Sequence, residues 1–291
     1  LDNTGKYNLI KDGANLVLSS EDKKKRFMKH SLDVKNLYTL CNGILEQYYK
    51  DKVLFIISVR SFISKITNEN KLDVSEINRN VGLMLEQSIR EDELINLGEL
   101  SRGNSLELLS DTMLNKLRNL KDKNVVAEIL SRAIKTTIND IGKINLTLQE
   151  KFSTKFNKIV DAYNDRTDIA DIEKIIEEMI ELKKEIENEL EKGNEYDLSS
   201  EEKAFFDALG DDPEVKELMK DEILVQIAKE LVETVNSNMT IDWDIRKDAR
   251  AKMRIEIKKL LIKYNYPPNK SEKAVQTVIR QAELKCKEMI N

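Results

Sequence analysis

Two aspartates, Asp242 and Asp244, flank the only tryptophan, Trp243, and four cations follow at steps of four: Arg246, Arg250, Arg254 and Lys258. Carboxylates that close together can hold a cation, or they can accept hydrogen bonds from the first free amides of a helix, and the capping role is the simpler reading here. Cations at steps of four form a stripe along one helical face. Such a stripe either keeps an amphipathic helix soluble or meets phosphate or an acidic partner. Trp243 lies between Ile241 and Ile245 and reads as a core anchor before a stacking platform. These five residues, Trp243, Arg246, Arg250, Arg254 and Lys258, are the candidate contacts to a partner or to DNA.

Other reactive side chains are scarce. His30 is the only histidine, set among lysines, so no imidazole pair exists for a metal or a triad. Cys41 and Cys286 are far apart among helix-forming residues, which indicates neither a disulfide framework nor a metal cluster and makes a reducing cytoplasm the default. A Gly-x4-Gly-Lys-Ser/Thr loop for ATP phosphates is absent. No residue is assigned a catalytic, cofactor-binding or metal-binding role.

The stripe needs a helix to carry it. Thr240 or Asp242 can cap its start and Pro267 bars a helical conformation to the residue before it, leaving about twenty residues between. Within it Ala249, Met253, Ile257, Leu260, Leu261 and Tyr264 recur at three and four and form a buried face.

The rest of the chain has the same character. In 291 residues there are 40% hydrophobic and 35% charged residues but only 9 Gly and 3 Pro, and no segment alternates with period two long enough to make a strand. The expected fold is all-α, a bundle of roughly ten helices with no significant sheet and room for two packed subdomains. Residues 1–18 lack a sustained period and read as a linker or as an arm packed on something else. Residues 19–163 form a first helical subdomain and 164–291 a second. Ser19 or Ser20 opens a helix whose face is Leu37, Leu40, Cys41, Ile44, Leu45 and Tyr48, with Cys41 as a small core residue. Val53–Ile66, apolar almost all round, is the expected centre of the first core.

Further along, Asp73 with Glu76 starts a helix ending near Glu91, and 91–104 is read as a loop. Helices follow at Ser110–Leu120 and Asn124–Ile141, and Thr147 with Glu150 caps the next. Ile169–Leu190 repeats like a short heptad seam, suited to an intramolecular antiparallel pair. After a loop at 192–197, Ser199 with Glu202 restarts a short helix. Pro213 begins another that runs to about Val235, and Ser271–Met289 closes the chain.

Charge is uneven. Residues 165–222 hold 22 acidic and 8 basic side chains, whereas 239–291 hold 13 basic and 7 acidic. The basic tail can touch a phosphate backbone or the acidic midsection, and the internal pairing is favoured because nucleic-acid domains usually show a stronger basic excess and aromatic platforms. The longest apolar run, Val53–Ile57, is too short to span a bilayer, and nothing resembles a signal peptide. Leu1 in place of a methionine is read as a sign that the chain was cut from a longer polypeptide.

The stretch Met239-Thr-Ile-Asp-Trp, then Arg250-Ala-Lys-Met-Arg and Lys258-Lys-Leu-Leu-Ile-Lys-Tyr-Asn-Tyr-Pro-Pro, resembles the C-terminal signature of the restriction subunit of type I restriction-modification enzymes. Upstream, Ile175–Lys184, Leu198–Leu209 and Ile227–Val235 are similar in the same order, so the resemblance is specific from about Tyr163 to Leu284 and general before that. It implies a helical region that joins the restriction subunit to the modification and specificity subunits, with the subunit's own other domains as neighbours and DNA reached through the complex. ATP and Mg2+ belong to the parent enzyme, an ATP-dependent deoxyribonuclease. Nucleases of that class use a Glu-x-Lys pair with an upstream Asp to hold a metal. Glu181/Lys183, Glu256/Lys258 and Glu283/Lys285 have that spacing, but on helices residues two apart face different sides. The resemblance therefore implies a docking module. The alternative is an accessory DNA-binding domain that uses the basic stripe of the 240–264 helix.

Overall fold

A computed structural model describes residues 3–41, 43–67, 111–166, 169–238 and 246–290. Among them are twelve helices and no strand: α1 (Asn3–Val17), α2 (Glu21–Cys41), α3 (Gln47–Thr67), α4 (Asp111–Asn119), α5 (Lys123–Ile144), α6 (Leu146–Asp165), α7 (Ile169–Glu195), α8 (Ser200–Leu209), α9 (Pro213–Leu218), α10 (Asp221–Asn238), α11 (Lys247–Lys263) and α12 (Pro268–Ile290). The all-α expectation holds. The helix expected from Asp73 and the loop at 91–104 lie outside the described residues.

Two compact units share the chain. The first comprises Leu1–Thr136 and Phe156–Glu181, the second Thr137–Lys155 and Leu182–Asn291. Tyr163, at the expected subdomain boundary, lies within the first unit.

In the first unit, residues 3–17 are a packed arm rather than a linker. Tyr7, Ile10, Ala14 and Leu18 are spaced three and four apart, and all four are buried. The asparagines and glycines between them hide this period in the sequence. Tyr7 meets Phe62 of α3 edge-to-face, and burial pushes its hydroxyl up to about 12. Gly13 lets the two helices approach, since a β-carbon there would stand 3.1 Å from Val59. Around the end of α1, the single Tyr163 hydroxyl hydrogen is shared between the carbonyls of Leu18 and Asn124, 3.5 and 3.4 Å away, and the Arg166 guanidinium stacks on the Tyr163 ring at 3.6 Å.

Two expectations for this unit need correction. The helix expected to carry one face through Tyr48 stops at Cys41, and that face is exposed at Leu37 and Leu40 of α2 and at Ile44 beyond its end, with Leu40 82% and Ile44 87% accessible and Cys41 only half-buried. The all-round apolar helix α3 is buried only from Ile57 to Ile66, while Tyr48, Tyr49 and Phe55 remain exposed. Period shows which residues share a face. It does not show whether a neighbour covers that face along the whole length of the helix.

The second unit is built on α8, α10, α11 and α12. Phe205, Leu224, Ile227, Met253, Ile257 and Val278 are among the side chains that meet in its core. Ser199 and Glu202 form the expected reciprocal cap, with bonds of 2.7 and 3.3 Å. Asp212 caps α9 ahead of Pro213. The helix expected to run from Pro213 to Val235 is instead broken at Met219, which is extended and buries its side chain. The α6 cap is Asn145, whose Oδ1 accepts from Leu148 N at 3.0 Å. Thr147, the expected cap, is already inside the helix with its hydroxyl unpartnered. Within this unit α6 and α7 run antiparallel, as Lys155 to Glu185 at 2.5 Å and Lys151 to Glu189 at 3.0 Å require, matching the pairing expected of the heptad-like seam.

Candidate functional site

α11 buries Met253, Ile257, Leu260 and Leu261 against its neighbours, and Ala249 and Tyr264 pack at its ends, so the predicted apolar face is the one observed. Its start differs from expectation. The helix begins at Lys247 behind Arg246, which makes no side-chain cap, while Thr240, Asp242 and Trp243 lie outside the described residues. The chain leaves α11 through Asn265 in the left-handed region (φ 54°), a conformation asparagine tolerates. Tyr266 then turns inward and donates to the Leu209 carbonyl at 2.8 Å.

The cationic stripe is largely matched by the protein's own carboxylates. Arg246 Nη2 is 2.7 Å from Asp248, and Lys258 Nζ is 2.6 Å from Glu272. Arg250 Nη2 lies 2.5 Å from Glu283 Oε1, an electrostatic contact rather than an aligned hydrogen bond. Arg254 is exposed and makes no ion pair among the described residues, though with Lys258 it helps hold the Glu272 carboxyl below its usual range. At the end of the helix, Lys263 is 2.7 Å from Glu230, and Lys263 followed by Tyr264 lowers the carboxyl's pKa by hydrogen bonding.

The basic tail also reaches the acidic midsection. Lys270 stands 2.9 Å from both Asp212 and Glu214, Lys273 is 3.0 Å from Asp211, and Lys285 is 2.5 Å from Glu201. Hydrogen bonding to Lys270 depresses the Asp212 carboxyl below the ordinary carboxylate range. These pairs tie α12 to the α8–α9 segment.

The Glu-x-Lys pairs do not form paired sites. Lys183 turns to Glu187 at 2.8 Å, Glu256 to Lys259 at 2.9 Å, Lys258 to Glu272, Glu283 to Arg250 and Lys285 to Glu201. Among the described residues no group of three His, Cys, Asp or Glu is placed to hold a metal ion. His30 is exposed, 3.8 Å from Asp33. No helix among the described residues is long and apolar enough to cross a membrane.

Two arrangements escaped the sequence reading. Gln281 is buried, accepting from Leu146 N at 3.0 Å while its amide donates to the Ile144 carbonyl, and so clasps the α5–α6 junction. Beside it Lys203 and Asp207 form a buried ion pair, with Asn145 Nδ2 donating to Asp207 at 2.7 Å. Desolvation raises the Asp207 pKa, opposed by Lys203 and Asn145. The pair lies behind a pocket of about 290 Å³ lined by Ile141, Ile144, Leu148, Leu190 and Leu198, with Asp140, Glu189 and Lys203 also in its wall. Only the i,i+4 spacing of Lys203 and Asp207 was visible beforehand, and that spacing is common on any helix surface.

The family described as "Type I restriction enzyme HindI endonuclease subunit-like, C-terminal" matches residues 1–288. The chain belongs to this family. As such a C-terminal domain it is 30% identical over 273 residues to the type I restriction enzyme HindI endonuclease subunit of Haemophilus influenzae, covering 91% of this chain and 25% of that protein. It is 27% identical over 252 residues to the putative type I restriction enzyme MjaIXP endonuclease subunit of Methanocaldococcus jannaschii, covering 85% and 24%. The domain thus spans about a quarter of the length of the curated relatives it matches. No solved structure matches it. The family match takes in the first half of the chain too, where the sequence motifs alone were only general.

Proposed function

We propose that this C-terminal domain docks the restriction subunit onto the methyltransferase core formed by the modification and specificity subunits. The observation that carries the reading is the internal neutralisation of the basic tail. Arg250, Lys258, Lys270, Lys273 and Lys285 each face a carboxylate of the same chain, so the cations a DNA-binding domain would spend on phosphates tie helices together instead. The family adds its weight, since the curated relatives are endonuclease subunits of type I enzymes.

In this reading the domain contributes shape and contact surface. ATP-dependent translocation and cleavage, with their ATP and Mg2+, belong to the rest of the complete subunit. Duplex DNA is met through the assembled complex. The test is a pull-down of this chain with co-expressed modification and specificity subunits. Retention at micromolar concentration is expected. No retention, with the helical circular dichroism intact, overturns the proposal.

A further inference from the structure

α11 is apolar on two sides. Met253, Ile257, Leu260 and Leu261 fill the core, yet Ile255 and Ile262 on the other side are 53% and 72% exposed. At 100° per residue, Ala251, Ile255 and Ile262 fall within about 40° of one another, forming a short outward ridge along one side of the helix. Of the acidic neighbours, Asp248 and Glu256 are paired with Arg246 and Lys259, while the exposed cations Lys247 and Arg254 lie on one flank of this ridge and Lys252 on the other. None of the three makes an ion pair among the described residues, in contrast to Arg250, Lys258 and Lys263 around them.

The geometry points to the outward face of α11 as a docking ridge for a partner protein whose surface offers an apolar groove bordered by carboxylates. This rests on the docking reading above and names the face and the partner chemistry for it. Two features choose a protein over DNA. A phosphate backbone rewards the cations but gives Ile255 and Ile262 nothing to be buried against. A protein groove rewards both, with an apolar centre and a charged rim. The charge complementarity also separates this ridge from the larger exposed tip at Leu40 and Ile44. Nearby Glu46, Lys50, Asp51 and Lys52 carry both signs there, with no ion pair among the described residues to cancel the carboxylates, and specify no partner chemistry.

The experiment uses the complete restriction subunit that carries this domain, with its modification and specificity subunits. Affinity of assembly is measured for the wild type, for Ile255→Asp/Ile262→Asp and for Lys247→Glu/Lys252→Glu/Arg254→Glu, and in parallel each is titrated with a short duplex of random sequence. All five residues are exposed, so helical content and thermal midpoint should be unchanged. The isoleucine variant is expected to weaken assembly by at least about tenfold, as loss of a central interface contact does. The charge variant should weaken it by an amount that shrinks as salt rises. If the wild type assembles and the isoleucine variant assembles equally well, the ridge is not the docking face, while the docking reading stands. If the wild type itself does not assemble, the docking reading fails and the ridge with it. If assembly is untouched and duplex binding is lost instead, the face belongs to DNA and the inference is overturned.

Discussion

Ile255 and Ile257 are two residues apart on α11 and differ in nothing but the side of the helix they occupy, which makes them a direct probe of its register. Ile257 is fully buried among core residues, while Ile255 is half exposed. Truncating Ile257 to Ala removes three carbon atoms, about 2.4 kcal/mol at ~0.8 kcal/mol per methylene, and a cavity term brings the cost to about 3–4 kcal/mol. Ile255→Ala removes the same atoms from a site already in water and should stay within about 0.5 kcal/mol. In urea, with a slope of about 2–3 kcal/mol per molar for a chain of this size, Ile257→Ala should move the unfolding midpoint by about 1 M or more and Ile255→Ala hardly at all. The assay is ellipticity at 222 nm against urea, with equal slopes as the check that only stability has changed. Equal shifts for the two variants, or a larger one for Ile255→Ala, would refute the placement of α11 and with it the outward ridge.

Asp207→Ala strands the Lys203 ammonium in the second unit without its carboxylate and should cost about 3–5 kcal/mol by the same urea assay. Because the folded pKa of Asp207 is raised, chiefly by desolvation, the native state holds its proton to higher pH than the unfolded chain does. The stability it contributes is full below the unfolded carboxylate pKa and is lost as pH rises through the folded one, so wild type should lose ground to Asp207→Asn over that interval. Swapping the partly exposed pair, Arg250→Glu with Glu283→Arg, should recover most of the loss of either single reversal, each about 1 kcal/mol or less; a double-mutant cycle with zero coupling would dismiss the contact. Ala14→Asp places a charge where α1 is fully buried, and should destabilise the first unit by more than about 4 kcal/mol, read as early protease cleavage within α1–α3; a silent substitution would restore the linker reading of residues 1–18.

Local features of the sequence carried over well where the relevant physics is itself local. The Ser199–Glu202 cap, Pro213 in the first turn of α9 and the inward row of α5 from Val125 to Ile141 all depend on residues within one or two turns of each other. The reading failed where distant neighbours decide. Met219 leaves the helical path to fill the core with its side chain, and Asn145 displaced Thr147 as the α6 cap. In the candidate site, the spacing of Arg246, Arg250, Arg254 and Lys258 was legible, but not that Glu272 and Glu283 on α12 would meet two of them.

From the sequence alone came the helical class, the composition of the stripe, the imbalance between an acidic midsection and a basic tail, and the family whose motifs it resembles. Those follow from period, spacing and residue type, which are properties of neighbours along the chain. Tertiary packing decided which apolar faces found a cover, so α1 is core while the ends of α2 and α3 are bare, and which cations found a carboxylate, leaving Lys247, Lys252 and Arg254 around Ile255 without an ion pair among the described residues. Burial and ion pairing require two surfaces to meet, and residues such as Arg250 and Glu283, thirty-three positions apart, meet only once the chain has folded.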